Sequence, residues 1–258
     1  MIGNILAAEW RLFLIALGFF TRIPVPESVA VDTVSLNRAS RYFGMVGVLV
    51  GAASALVLWG AACLLPAGAA VVLAIVVSVL LTGGFHEDGL ADTADGLGGG
   101  WTLEQKLTIM KDSRLGSYGA LALVLALLLK WQLLTALLER GAADAVIALL
   151  IAHVLSRVVA ASLIATEPYV REEGKAKPLA HQQERGELLV LVGTGVVAVL
   201  VLAPGMLLWL TLGLLVTRFA MVTLLRRQLG GYTGDTLGAV QQVSELAVYA
   251  LLWVGGHG

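Results

Sequence analysis

Forty-three consecutive residues, Phe43 to Phe85, contain no Asp, Glu, Lys, Arg or His. Crossing a bilayer takes roughly 20 apolar residues, so this run is long enough to cross twice. A second run without ionisable side chains, Leu188 to Thr217, covers 30 residues. Over the whole chain 58% of residues are hydrophobic and 14% charged, against about 25% charged in a soluble domain. That balance excludes a soluble enzyme and a disordered chain, since disorder requires low hydrophobicity. The single cysteine, Cys63, excludes an intrachain disulfide framework and any cysteine-based metal site. A net charge of −1 gives no basic footprint for nucleic acid. The first apolar stretch, Leu12 to Phe20, is not followed by a small-residue cleavage site and does not read as a signal peptide.

The pattern predicts an all-α, polytopic integral membrane bundle in one domain, residues 1–258. Seven spans are expected, at about 43–65, 67–85, 119–138, 142–165, 188–203, 206–225 and 237–254. Pro66 separates the first two, and Ala203-Pro204-Gly205 the fifth and sixth. Residues 4–20 carry Glu9 and Arg11 and form either a further span or an interfacial helix. Alternate loops hold twelve of the seventeen Lys and Arg, while the opposite loops hold only Arg140. The positive-inside rule then puts loops 21–42, 86–118, 166–187 and 226–236 in the cytoplasm. No internal repeat of the kind many transporters carry is visible.

The three main polar clusters lie in or begin in those same loops. The first is His86-Glu87-Asp88-Gly89-Leu90-Ala91-Asp92-Thr93-Ala94-Asp95-Gly96. On a helix, Asp88, Asp92 and Asp95 sit at i, i+4 and i+7, within an arc of roughly 60°. Like charges stacked on one face destabilise a helix, so a cation is expected there. All-oxygen ligands suit Mg2+, which usually takes one or two carboxylates plus phosphate oxygens. The plainer alternative is a solvated acidic loop. His86 is either a proton-transfer group or an interfacial histidine held by a hydrogen bond, and Glu87 projects to another side.

Lys111 and Arg114 form a second cluster, just before the small-residue stretch Gly116 to Gly119. They either neutralise a bound diphosphate or anchor the chain at the membrane surface. The helix beginning near 119 offers free N–H groups, a setting for an anion. In the third cluster, Asp235 either caps the last helix or holds a ligand. Glu245 lies inside the span that follows, where a carboxylate is costly and a functional candidate. Gln242 shares its face. His153 and Arg157, four residues apart, form a polar stripe from which Arg157 can reach an anionic ligand from below. Lys130 and Arg218 are read as snorkelling or structurally paired. Trp101, Tyr118 and Tyr232 suggest an aromatic rim.

Through these segments the chain resembles the adenosylcobinamide-GDP ribazoletransferase (cobalamin 5′-phosphate synthase) family. The resemblance rests on Phe20-Thr21-Arg22-Ile23-Pro24, on Arg38 to Gly47, and on His86-x-Asp88-Gly89-Leu90-Ala91-Asp92-Thr93-Ala94-Asp95-Gly96. It continues through Met110-Lys111-Asp112-Ser113-Arg114-x-Gly116-x-Tyr118-Gly119 and Gly230-Gly231-x-Thr233-Gly234-Asp235-x-Leu237-Gly238-Ala239. Glu87 stands where the family is expected to have an apolar residue. The resemblance implies a transferase that joins adenosylcobinamide-GDP to α-ribazole, or its 5′-phosphate, and releases GMP with Mg2+ as cofactor. A ribose 3′-hydroxyl would attack the diphosphate. Asp88, Asp92 and Asp95 would hold the metal, Lys111 and Arg114 the leaving phosphate, and Asp235, Glu245 and Arg157 would serve substrate binding. An aspartate or His86 would act as base.

The resemblance also implies a bacterial or archaeal-type cytoplasmic membrane, with the site facing the cytoplasm. Membrane lipid and other cobalamin-assembly enzymes are the expected partners besides the substrates, and oligomeric state is left open. The run Asp88-Gly89-x-x-Asp92 is also similar to the CDP-alcohol phosphotransferase motif, which has arginine where this chain has Asp92. A phospholipid-making enzyme of that family is therefore one rival. A cation- or proton-coupled transporter is the other, although it would need acids near the bilayer midplane.

Overall fold

Pro66 and the glycine pair Gly83-Gly84 divide the long uncharged run into helices. A computed structural model describes residues 2–27, 29, 32–171 and 183–256. Among them lie eleven α-helices and no strand, only one isolated bridge between Tyr169 and Tyr232. The helices are α1 (Ile2–Phe20), α2 (Thr33–Ala39), α3 (Phe43–Ala62), α4 (Ala67–Thr82), α5 (Phe85–Gly99) and α6 (Leu103–Ile109). They continue with α7 (Ser117–Arg140), α8 (Ala142–Thr166), α9 (Arg185–Leu202), α10 (Leu207–Leu229) and α11 (Gly234–Gly255). Lys175 and Lys177, two of the twelve basic loop residues, lie outside the described residues.

Six helical segments are long and apolar enough to cross a membrane, and the bent pair α4–α5 raises the number to seven. The expected polytopic helical bundle is therefore present. The spans foreseen from the sequence correspond to α3, α4 and α7 to α11. By itself α4 has 16 residues, about 24 Å at 1.5 Å per residue, short of the hydrocarbon thickness of about 30 Å. Among the described residues α1 is not one of the crossing candidates. It buries Leu12, Ile15 and Ala16 and exposes Ile5, Leu6 and Trp10, the two-faced pattern of an interfacial helix.

At the centre is α8, packed between α3 and α11. Small residues allow the close approach: a Cβ on Gly47 of α3 would lie 2.2 Å from the His153 carbonyl oxygen. Where apolar lipid gives helices no hydrophobic reason to associate, such contacts supply the packing energy.

The turn after α4 sets up the rest. Gly83 and Gly84 both have left-handed backbone, with φ of 67° and 70°. The Gly84 N–H donates to the Val79 carbonyl, which closes α4 as a Schellman end. A Cβ on Gly83 would also lie 2.3 Å from Nε of Arg22. The chain turns by 88° and α5 sets off sideways. It then meets the first turns of α7 and α11, so it lies across one end of the bundle rather than through it. That end carries the basic loops.

Candidate active site

Residues 86–118, expected to be a loop, contain two helices, and the acidic segment is α5. Helical spacing does put Asp88 and Asp92 on one face. They form a ridge that borders two clefts. One cleft, of about 240 Å3, is lined by Asp88, Asp92, Tyr169, Arg171 and Asp235. The other, of about 650 Å3, is lined by the same two aspartates with Glu87, Lys111, Ser113 and Arg114.

The first cleft exists because α5 and α11 cross without side chains between them. A Cβ on Gly89 would lie 2.6 Å from the Asp235 carbonyl oxygen and 3.1 Å from Cα of Gly238. Thr233 provides the side-chain cap of α11, paired reciprocally with Thr236. Asp235 is therefore not the cap that the sequence allowed it to be. Its carboxylate instead meets Arg171 at 2.5 Å. Arg171 is held there by a short backbone pairing: Val170 N–H donates to the Tyr232 carbonyl and Tyr232 N–H to the Pro168 carbonyl. Sequence reasoning counted Arg171 only as one more basic loop residue and did not single out Tyr169. Tyr232, taken as part of an aromatic rim, is 1% exposed and belongs to this buried support, whereas Trp101 and Tyr118 are exposed.

Three carboxylates around one cleft make strong local negative potential. Asp92 shows it: partial burial, followed by the charges of Asp88 and Asp235, pushes its carboxyl up to about 7. In the other cleft Arg114 is exposed and bound to Asp112, with Nε 3.0 Å from Oδ1. That guanidinium holds the Asp112 carboxyl down at about 2.

Asp95 is placed differently. Its two oxygens accept the backbone N–H groups of Gly116 and Gly119, each at 2.8 Å. The anion site foreseen at the start of α7 is thus filled from within the chain by Asp95. Among the described residues no three His, Cys, Asp or Glu side chains converge as a metal site.

His86, Arg157 and Glu245 lie beneath the ridge and line neither cleft. The His86 ring stacks on Phe20, with centroids 5.7 Å apart and planes at 12°. It lines, with Arg157 and Gln241, a small pocket of about 30 Å3, room for one water. Arg157 donates to the His153 carbonyl at 2.8 Å, in the stripe foreseen from their spacing. Glu245 lies 3.0 Å from Nζ of Lys130 and accepts from Gln241 and Tyr249. Lys130 also donates to Gln242, and Gln242 in turn donates to Glu87 of α5. Glu87, which projects away from the Asp88–Asp92 face, links the ridge helix to this buried polar chain.

A membrane-embedded helical bundle with a carboxylate ridge between two cation-bearing clefts has the layout of a phosphate-transferring enzyme. The chain belongs to the cobalamin-5-phosphate synthase family, whose pattern it matches over residues 12–253. Among similar proteins, the adenosylcobinamide-GDP ribazoletransferase of Shewanella pealeana is 60% identical over 250 residues, covering 96% of each chain. The protein of the same name from Shewanella baltica strain OS185 is 58% identical over 251 residues, again with 96% of each chain covered. No solved structure matches.

Proposed function

We propose that this chain joins adenosylcobinamide-GDP to α-ribazole, or to its 5′-phosphate, and releases GMP. Family membership over nearly the whole chain supports the substrates. The observation that carries the chemistry is the Asp88–Asp92 ridge shared by two clefts. A diphosphate donor and a hydroxyl acceptor must meet at one point from two sides, and the ridge is the wall common to both approaches.

The donor set fits Mg2+. Asp88 and Asp92 offer carboxylate oxygens to both clefts, and the excess negative charge around Asp92 calls for a cation. Two protein carboxylates leave coordination positions for phosphate oxygens. When bound, the ion would neutralise charge developing on the diphosphate. Asp95 then has a supporting role, since its hydrogen bonds fix the loop that carries Lys111 and Arg114.

The chain's own residues do the remaining work. Lys111 and Arg114 take the GMP phosphate in the larger cleft. Arg171 and Asp235 orient the ribose of the acceptor in the smaller one. The 3′-hydroxyl oxygen attacks the phosphorus nearer the corrinoid arm, and the bond from that phosphorus to the bridging oxygen breaks. GMP leaves with the bridging oxygen, and the hydroxyl proton passes to a ridge aspartate. His86, Arg157 and Glu245 support the ridge from below. In this reading the basic end faces the cytoplasmic side of the inner membrane.

The test is the purified full chain in nanodiscs with adenosylcobinamide-GDP, α-ribazole and Mg2+. The expected result is cobalamin and GMP in equal amounts. Absence of both, with turnover of CDP-diacylglycerol instead, overturns the proposal in favour of phospholipid synthesis.

A further inference from the structure

Arg218 sits halfway along α10, a membrane-crossing helix, yet among the described residues no carboxylate pairs with it. Its Nε donates to the Ser162 hydroxyl at 2.9 Å and its Nη2 to the Thr166 hydroxyl at 2.6 Å. Both partners are neutral. The nearby carboxylate of Glu167 is taken by Arg226 at 2.6 Å. Guanidinium carries five N–H donors, so two hydroxyls leave Arg218 with unused donors, and the Glu167 carboxylate reaches it only through the Thr166 hydroxyl, at 3.1 Å. Ser162 and Thr166 form the last turn of α8, at the basic end of the bundle. Arg218 therefore reaches along its helix toward the basic end of the bundle, as a snorkelling arginine does.

Below that guanidinium runs an apolar groove of about 400 Å3 between α8, α9 and α10. Val159, Val196 and Leu214 are among its walls, and it extends to Leu207 near the far end of α10. The groove exists because α10 meets α8 and α9 only sparsely. Val196 and Leu215, which line it, are 40% and 57% exposed, so it opens sideways toward lipid. One long apolar channel ending at a half-exposed arginine matches one kind of occupant: an acyl chain attached to a phosphate.

We propose that the α8–α9–α10 groove is a binding site for a phospholipid, its acyl chain along Val196 and Leu214 and its phosphate on Arg218. The phosphate takes the free N–H donors of Arg218 by charge-assisted hydrogen bonds. Ser162 and Thr166 hold the guanidinium in place. The site is separate from the ridge and does not depend on the identity of the substrates.

The test uses the full chain in dodecyl maltoside micelles, which contain no phosphate. Phosphatidylglycerol with a diazirine in its acyl chain is compared with a diacylglycerol bearing the same group. Labelling by phosphatidylglycerol should concentrate on α8 to α10 and exceed that by diacylglycerol about tenfold, the worth of a charge-assisted pair. Arg218→Gln should remove that preference. Val196→Trp, which fills the groove, should abolish the local labelling with Arg218 still present. Equal labelling by the two lipids in the unaltered protein overturns the proposal, and so does labelling spread evenly over the apolar belt. The first comparison needs no variant, so a misfolded variant cannot obscure it.

Discussion

Lys130 and Glu245 form an ion pair at 3.0 Å with each side chain only 2% exposed. They come from α7 and α11, and α11 also carries the α5 crossing. Removing one partner leaves a lone charge in the bundle interior. Lys130→Met or Glu245→Leu alone should cost roughly 3–5 kcal/mol. The double variant should recover most of that loss, since a buried pair is often replaceable by apolar residues of similar volume. Thermal unfolding in detergent measures all four proteins. Single variants as stable as the parent would show that the pair is not a structural tie.

Asp88→Asn and Asp92→Asn keep the shape of the ridge and remove its charge. Turnover should fall on the order of a hundredfold or more for each, as when one group stabilising developing charge is lost. Membrane insertion and melting temperature should stay near those of the parent. Cobalamin formation by the purified variants is the measurement, and full activity in either would exclude the ridge from the chemistry.

Much of this was readable in the linear chain. The uncharged run gave α3 and α4 because Pro66 can neither donate nor continue a helix. The four-residue spacing of Asp88 and Asp92 gave their common face. What could not be read was set by contacts distant in sequence. The 88° turn depends on two successive left-handed glycines with Arg22 packed against the first. Arg171 resembles any loop arginine until the Tyr169–Tyr232 bridge carries it to Asp235. The i+7 position of Asp95 suggested the same face as Asp88, but the amides of Gly116 and Gly119 lie close enough to take both its oxygens.

That arrangement makes Asp95 a fastener between α5 and the start of α7. Asp95→Ala forfeits two hydrogen bonds to a buried carboxylate, roughly 2–4 kcal/mol. The effect should be local. Amide hydrogen exchange over residues 110–119 should accelerate, with and without Mg2+ present, while α8 remains protected. A change seen only when Mg2+ is present would assign Asp95 to the metal rather than to the loop.

The crossing of α5 over α11 allows almost no added volume. A side chain at Gly89 starts 2.6 Å from the Asp235 carbonyl oxygen, and that neighbour is backbone, unable to rotate aside. Overpacking of this kind costs about 1–3 kcal/mol, relieved by shifting one helix. The shift would carry Asp88 and Asp92 away from Arg171 and Asp235, separating the ridge from the smaller cleft. Gly89→Val should therefore lose turnover by at least about tenfold, since misplacement of about 1 Å can cost a hundredfold. Its melting temperature should drop by only a few degrees. Gly89→Ala should fall between the two. Cobalamin synthesis set against thermal stability separates the outcomes: wild-type turnover in Gly89→Val would mean that the reaction does not need α5 and α11 in contact.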